Sequence, residues 1–221
     1  MSDITEKKLE PYVSLAREAS AVYIEKKSEF IGYAAPVSTE EEAIAFIERI
    51  RKKHADARHN VYAYLLRSGA TRYSDAGEPQ GTAGIPTLEV IRKGGFCDAV
   101  IVVTRYFGGI LLGAGGLVRA YTAAAKMAAE AAGIVTYTER TVFTLDCSYT
   151  DYQRLLPQFK RFDVSVDDTV FADTVKLSLS AETAGFTAFT EAVCEMSGGK
   201  LAPENVRKTF GAAQDVFHFE G

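Results

Sequence analysis

The sequence predicts an α+β protein in two parts, with a change of character near residue 137. Three observations carry this. Residues 139–221 hold 8 Lys and Arg against 13 Asp and Glu, a net of −5, which leaves +1 of the chain's total of −4 for residues 1–138. Five of the chain's 18 glycines crowd between Gly108 and Gly116, in the first part. The second part reads strand, helix, strand, strand, helix, strand over about eighty residues, which is the ferredoxin-like order.

The elements of the first part follow from local pattern. AVYIEKKSEFIGYAAPV (21–37) alternates apolar and polar residues around Lys26-Lys27-Ser28-Glu29, predicting two strands joined over a charged tip. In STEEEAIAFIERIRKKH, Ser38 or Thr39 can cap a helix. The glutamates that follow suit its positive end, and Ala43, Phe46, Ile47 and Ile50 recur at helical spacing. HNVYAYLL from His59 is a third strand. RSGATRYSDAGEPQGTAG then carries four glycines and a proline with no period, and reads as one long loop. IPTLEVIRK is a short helix, with Pro86 tolerated in its first turn and Gly94-Gly95 closing it. DAVIVVT is a continuous apolar run, hence a strand buried on both faces. The glycine stretch leads from it into an alanine-rich helix from Gly116, closed by Gly133.

In the second part Thr174–Ser180 alternates as a half-exposed antiparallel strand does, and LAPENVRKTF supplies the closing strand. Expected boundaries are residues 1–136 and 137–221. Cys97, Cys147 and Cys194 show no CxxC spacing and sit in apolar contexts, so they are expected to be reduced and buried, with neither a disulfide framework nor a zinc site. The N-terminus, MSDITEKKLEPYVSL, has no apolar leader, and no run is long enough to span a membrane, so the expected location is cytoplasmic.

The chemistry suggested by these residues concentrates in two stretches. RYFGGILLGAGGLVRAY places a glycine-rich turn between a buried strand and a helix, with Arg105 and Arg119 on either side. Such a turn exposes backbone N–H groups at the positive end of a helix, so it suits an anion. Gly108 to Gly113 has the GxxxxG spacing of a P-loop, but Ala114 and Gly115 stand where Lys and Ser/Thr are required, which excludes that mode of ATP binding. In YSDAGEPQGTAG, Asp75 and Glu78 could serve as acid and base or as turn residues. His54 and His59 flank a strand and lack ligand spacing, and no metal or cofactor is expected.

With SDAGEPQGTAGIPTLEVI and VIVVTRYFGGILLGAGGLVRAYTAAA in hand, the chain resembles the Impact/YigZ family from about residue 14 to its end. Ala76 departs from the second acidic residue usual there. The resemblance implies a first domain similar to domain 2 of ribosomal protein S5 and a second similar to domain V of elongation factor G. Both comparisons point toward RNA or the ribosome and toward regulation of translation. Eukaryotic relatives carry a further N-terminal interaction domain for which this chain leaves no room, so no particular protein partner is implied. The family's cleft maps onto His59, Asp75, Glu78, Pro79, Thr82, Arg105, Tyr106, Gly108, Gly109, Gly113, Gly116 and Arg119. The expected function is therefore RNA binding, with Arg105 and Arg119 on phosphates and Tyr106 and Phe107 offering faces to a base. The alternative is an enzyme that uses Asp75 and Glu78 on a phosphorylated or nucleotide substrate.

Overall fold

The computed structural model describes residues 10–217, with side chains through residue 211. The N-terminal residues 1–9, including most of the segment read for a leader, lie outside the described residues, as do the last four of the expected second domain. The chain divides into two compact units, Tyr12–Thr136 and Tyr137–Gly211. Both are α+β, and each holds an antiparallel sheet.

The first unit is built on a five-stranded sheet of β2 (Ala19–Glu25), β3 (Ser28–Pro36), β4 (His59–Leu65), β5 (Thr71–Ser74) and β6 (Ala99–Tyr106), in the order β2-β3-β6-β4-β5. A short strand, β1 (Tyr12–Leu15), precedes it, and β7 (Ile134–Cys147) begins at the end of this unit and continues into the second. Helix α1 (Glu40–Lys53) covers one sheet face through Ala43, Phe46, Ile47 and Ile50, packed on Tyr33, Ala35, Tyr64, Val100 and Val102. Helices α2 (Gly84–Lys93) and α3 (Gly113–Ala132) cover the other. β6 lies between the two layers, which is why Ala99–Val103 is an unbroken apolar run. Thr39 caps α1 by accepting the Glu42 amide, and Gly133 ends α3 at φ 75°.

Three sequence expectations change. The stretch 67–84 is not one loop: Thr71–Ser74 forms the edge strand β5 beside β4. Its residues are mostly exposed, so it carries no alternating apolar signal. Helix α3 begins at Gly113 rather than Gly116, in residues too small to show a helical period. The cysteines are all free, but only Cys147 is buried; Cys97 is half-buried and Cys194 exposed on a helix.

In the second unit the order is β7, α4 (Tyr149–Arg161), β8 (Ser165–Phe171), β9 (Val175–Glu182), α5 (Thr183–Ser197) and β10 (Glu204–Phe217). Its strands run β10-β7-β9-β8, and Phe143, Leu145, Leu155, Leu177, Leu179 and Phe189 form its core. Among the described residues no helix is long and apolar enough to cross a membrane.

The seating of α3 on the sheet depends on one residue. A Cβ on Gly32 of β3 would stand 2.4 Å from the Ala124 carbonyl oxygen and 2.9 Å from the Ala128 Cβ. The helix offers an alanine stripe and the strand offers no side chain, so the two backbones approach closely. Gly32→Ala must push α3 outward and is expected to cost roughly 1–3 kcal/mol, as overpacking does. A thermal melt of Gly32→Ala beside Ala123→Gly, on the same helix, separates this clash from a general loss of helix propensity.

Candidate functional site

The sequence-predicted residues fall into three groups. The first centres on the buried pair Arg105 and Glu78. Phe30, Arg105 and His59 stand in register across β3, β6 and β4, on the face covered by α2 and α3. The Arg105 side chain is 7% exposed, and its Nη1 donates to Glu78 Oε1 at 2.7 Å. The hydroxyl of Tyr121, in α3, donates to the same oxygen at 2.8 Å. Burial, reinforced by the neighbouring Glu78 carboxylate, holds the Tyr121 hydroxyl far above the ordinary tyrosine value, so it stays protonated as a donor. The guanidinium carbon lies 5.3 Å from the Phe30 ring centroid, and Nε is buried without a hydrogen-bond partner. The expectation that Arg105 meets a ligand phosphate therefore gives way: its charge is matched by Glu78 inside the fold.

The loop between β5 and α2 is tied down around this pair. Asp75 accepts the Gly81 amide at Oδ2 (2.9 Å) and those of Ala83 (3.0 Å) and Gly84 (2.8 Å) at Oδ1, capping α2 from nine residues upstream. Burial pushes its carboxyl upward, but the three amides outweigh burial and hold it below the usual aspartate value. Thr82 turns its hydroxyl back to the Pro79 carbonyl at 2.6 Å, and His59 Nδ1 donates to the Ala76 carbonyl at 2.9 Å. Both carboxylates of the enzymatic alternative are thus engaged in holding the loop. Among the described residues no group of three His, Cys, Asp or Glu side chains could hold a metal.

The second group faces the other way. Tyr106 follows Arg105 on β6, so it points to the α1 face, away from Arg105 and His59. Its hydroxyl donates to Asp56 Oδ1 at 2.9 Å and accepts from His54 Nδ1 at 2.9 Å, while the Tyr33 hydroxyl donates to His54 Nε2 at 2.7 Å. This network ties the end of α1 to β3 and β6, and the hydroxyl is engaged rather than turned to a base. Pairs 21 and 52 residues apart are invisible to spacing rules.

The third group forms an open surface at the start of α3. Gly108 is pressed onto the turn between β2 and β3: a Cβ there would stand 2.0 Å from the Lys27 carbonyl carbon, and its amide donates to Ser28 Oγ at 3.1 Å. This sets the turn of Lys26 and Lys27, both exposed, against the glycine that follows Phe107 (57% exposed), and Leu111 (84% exposed) comes three residues later in the chain. Gly109, Gly113, Ala114 and Gly115 are exposed, whereas Gly116 is buried against Leu112. The 20-residue helix α3 has no acidic residue in its first turn and no side-chain cap. Arg119 folds back along that turn, with Nη1 3.6 Å from where a Cβ on Gly115 would stand.

Lys26 and Lys27 are the functional candidates that sequence reading missed. They form a two-residue turn between the paired residues Glu25 and Ser28, with φ of 45° and 66°. A turn of this kind favours Asn-Gly, and lysine in the left-handed region costs on the order of 1–2 kcal/mol. Strain of this kind is a pointer to function. The signal was legible as a two-residue hairpin tip that lacks glycine.

The geometry can be set beside known proteins. The sequence matches the Impact N-terminal domain over residues 26–129 and a domain of unknown function, DUF1949, over residues 145–200. It is 34% identical to the IMPACT family member YvyE of Bacillus subtilis over 194 residues, spanning 87% of this chain and 89% of that protein. The chain belongs to the IMPACT family. Within that family it is 33% identical to YigZ of Escherichia coli over 197 residues, covering 87% of this chain and 97% of YigZ. A crystal structure of a hypothetical protein, 32% identical, covers 89% of this chain and 97% of its own with a TM-score of 0.57.

The His54 network makes stability depend on pH. Burial, with the nearby Lys53 charge, holds the imidazole below its ordinary value, more than Asp56 and Glu29 raise it. The unfolded chain then binds the proton that the folded chain refuses, so this contribution is complete above about pH 6.5 and is lost on acidification toward the lower folded value. The stability gap between the native protein and His54→Gln is expected to narrow between pH 7.5 and 5.5, as followed by urea denaturation. A constant gap would show that His54 does not titrate in this window.

Proposed function

We propose that the first unit binds single-stranded or looped RNA on the surface built from Lys26, Lys27, Phe107, Leu111, the first turn of α3 and Arg119. The protein would then act in the cytoplasm as an RNA- or ribosome-associated regulator of translation. The observation that carries this reading is the seating of Gly108 on the lysine turn. It sets a strained turn carrying two exposed cations against the glycine that follows an exposed aromatic ring, in the connection that leads to an uncapped helix start without acidic residues. Cations with free amides suit phosphate oxygens, and an exposed ring suits an unstacked base. Glu25 and Glu29 flank the turn, and Glu25 accepts the Tyr23 hydroxyl at 3.0 Å.

Binding without turnover is supported by the engagement of Asp75 and Glu78 in the loop frame. In the second unit, the order strand, helix, strand, strand, helix, strand and the pairing of β10, β9 and β8 around β7 support reading it as a ferredoxin-like domain. This agrees with the likeness to domain V of elongation factor G, as the helix-backed sheet of the first unit agrees with the likeness to domain 2 of ribosomal protein S5. Both likenesses favour a ribosomal setting.

The test removes charge without endangering the fold. Lys26→Asn with Lys27→Gly installs the unstrained Asn-Gly turn, so the melting temperature is expected to hold or rise. For a single-stranded RNA, each phosphate left without its cation should flatten the dependence of log K on log salt by about 0.7. The double variant should therefore lose about 1.4 in slope, and Arg119→Gln about 0.7 more. Arg51→Ala, on α1, should change neither slope nor affinity. An unaltered slope in the Asn-Gly variant would reject this surface as the place where phosphates bind.

A further inference from the structure

One edge of the second unit's sheet is open. β8 pairs with β9 along one side, and among the described residues no strand lies along the other. The unpaired N–H and C=O groups of such an edge are a template for a further strand. One face of this edge is apolar. By register Val166, Thr169 and Phe171 lie opposite Leu179, Leu177 and Val175 of β9, on the face that builds the core. Val166 is nevertheless exposed, as are Phe171 (57%) and Tyr149 of α4 (50%), whose rings stack with centroids 6.3 Å apart. Tyr152 meets the Phe171 ring edge-on at 5.7 Å, and the Tyr149 hydroxyl donates to the Ala172 carbonyl at 2.8 Å, which fixes the aromatic group at the end of the strand.

The other face of the edge carries charge. The ladder slips between Val166 and Asp168, which makes Asp167 the extra residue of a β-bulge. Asp167 accepts the Ser180 hydroxyl at 3.1 Å and Asp168 lies opposite Ser178, so both aspartates stand on the side away from the core. Asp168 also accepts the Thr169 amide at 2.8 Å. Both are exposed, and among the described residues neither forms a salt bridge, whereas Glu139, Asp146 and Asp151 of the same unit pair with Lys208, Lys176 and Arg154.

Two adjacent unmatched carboxylates select the occupant of the edge. A second copy's β8, paired about the centre of the strand, would set Asp168 against its own image, and like charges directly opposite destabilise a ladder. Lys or Arg at that place is favoured instead. The side chains of an added strand alternate between the two faces, so its apolar residues would meet Val166 and Phe171 while its cations meet Asp167 and Asp168. We propose that the edge of β8 accepts an extended segment of a basic protein as an added strand, one in which apolar residues alternate with Lys or Arg. Backbone hydrogen bonds hold the segment, the Tyr149 and Phe171 rings take its apolar side, and the aspartates set its register. The proposal uses no residue of the first unit and does not depend on the RNA reading.

The probe is a heptapeptide of alternating Val and Lys, blocked at both ends and titrated into the full chain with isotope-labelled backbone amides. The amides of residues 166–171 are expected to shift saturably. A peptide of the same composition with its Val and Lys in two blocks should bind clearly more weakly, and one of alternating Val and Glu should not bind. Asp167→Asn with Asp168→Asn should weaken the alternating Val-Lys peptide about three- to tenfold, the scale of two exposed ion pairs. Phe171→Ala removes apolar surface without changing charge and should weaken it as well, with a thermal melt confirming that each variant is folded. Equal binding of the block-ordered peptide, undiminished binding to the asparagine variant, or shifts centred on another acidic surface, such as Glu40, Glu41 and Glu42 of α1, would overturn the proposal. So would dimerisation of the free protein through the β8 amides, which would give the edge to a second copy.

Discussion

The first unit depends on a charge pair enclosed in its core. Arg105 on β6, Glu78 in the loop before α2 and Tyr121 on α3 meet at a single carboxylate oxygen, tying three segments far apart in sequence. Removing two charges from water costs several kcal/mol per ion, and only close geometry with further hydrogen bonds offsets it. Here the Tyr121 hydroxyl supplies a second donor to Glu78, and the Phe30 ring lies against the guanidinium and edge-on to Tyr121 at 5.1 Å. One donor, Arg105 Nε, stays unmatched. An arrangement with this much desolvation specifies a position more than it adds stability.

That constraint divides the labour among the charged groups. Because Glu78 is fixed, the loop around it can be closed by Asp75 on three amides and by Thr82 on Pro79, and α2 starts where the loop leaves it. Because Arg105 is enclosed, the charge available to a ligand comes from outside the core. It comes from the lysine turn that Gly108 holds in place and from Arg119 on the open turn of α3. Glycine thus acts in two physical ways within one stretch: Gly108 admits a close approach, while Gly109 and Gly113 take φ of 82° and 70° that other residues resist.

The fold was legible wherever local chemistry decides structure. The Thr39 cap, the proline in the first turn of α2, the apolar run of β6 and the glycine after α3 each correspond to the element they predict. Edge strand β5 was not legible, since Thr71–Ser74 faces solvent and no alternation marks it. The glycine stretch and Arg119 could be placed on one surface from sequence, because they share a strand-to-helix connection. The role of Arg105 could not, because its partner stands 27 residues away in a loop without a period. Nor could the side to which Tyr106 turns, which follows from strand register.

The central claim is that Arg105 and Glu78 form a coupled internal frame rather than part of the ligand surface. A double-mutant cycle of Glu78→Gln and Arg105→Met, followed by urea denaturation, tests it most directly. Each single substitution strands one buried charged partner and is predicted to cost roughly 3–5 kcal/mol. The double variant should cost clearly less than the sum, since no lone charge remains. Additive losses of about 1 kcal/mol or less for each, the scale of an exposed pair, would contradict the account.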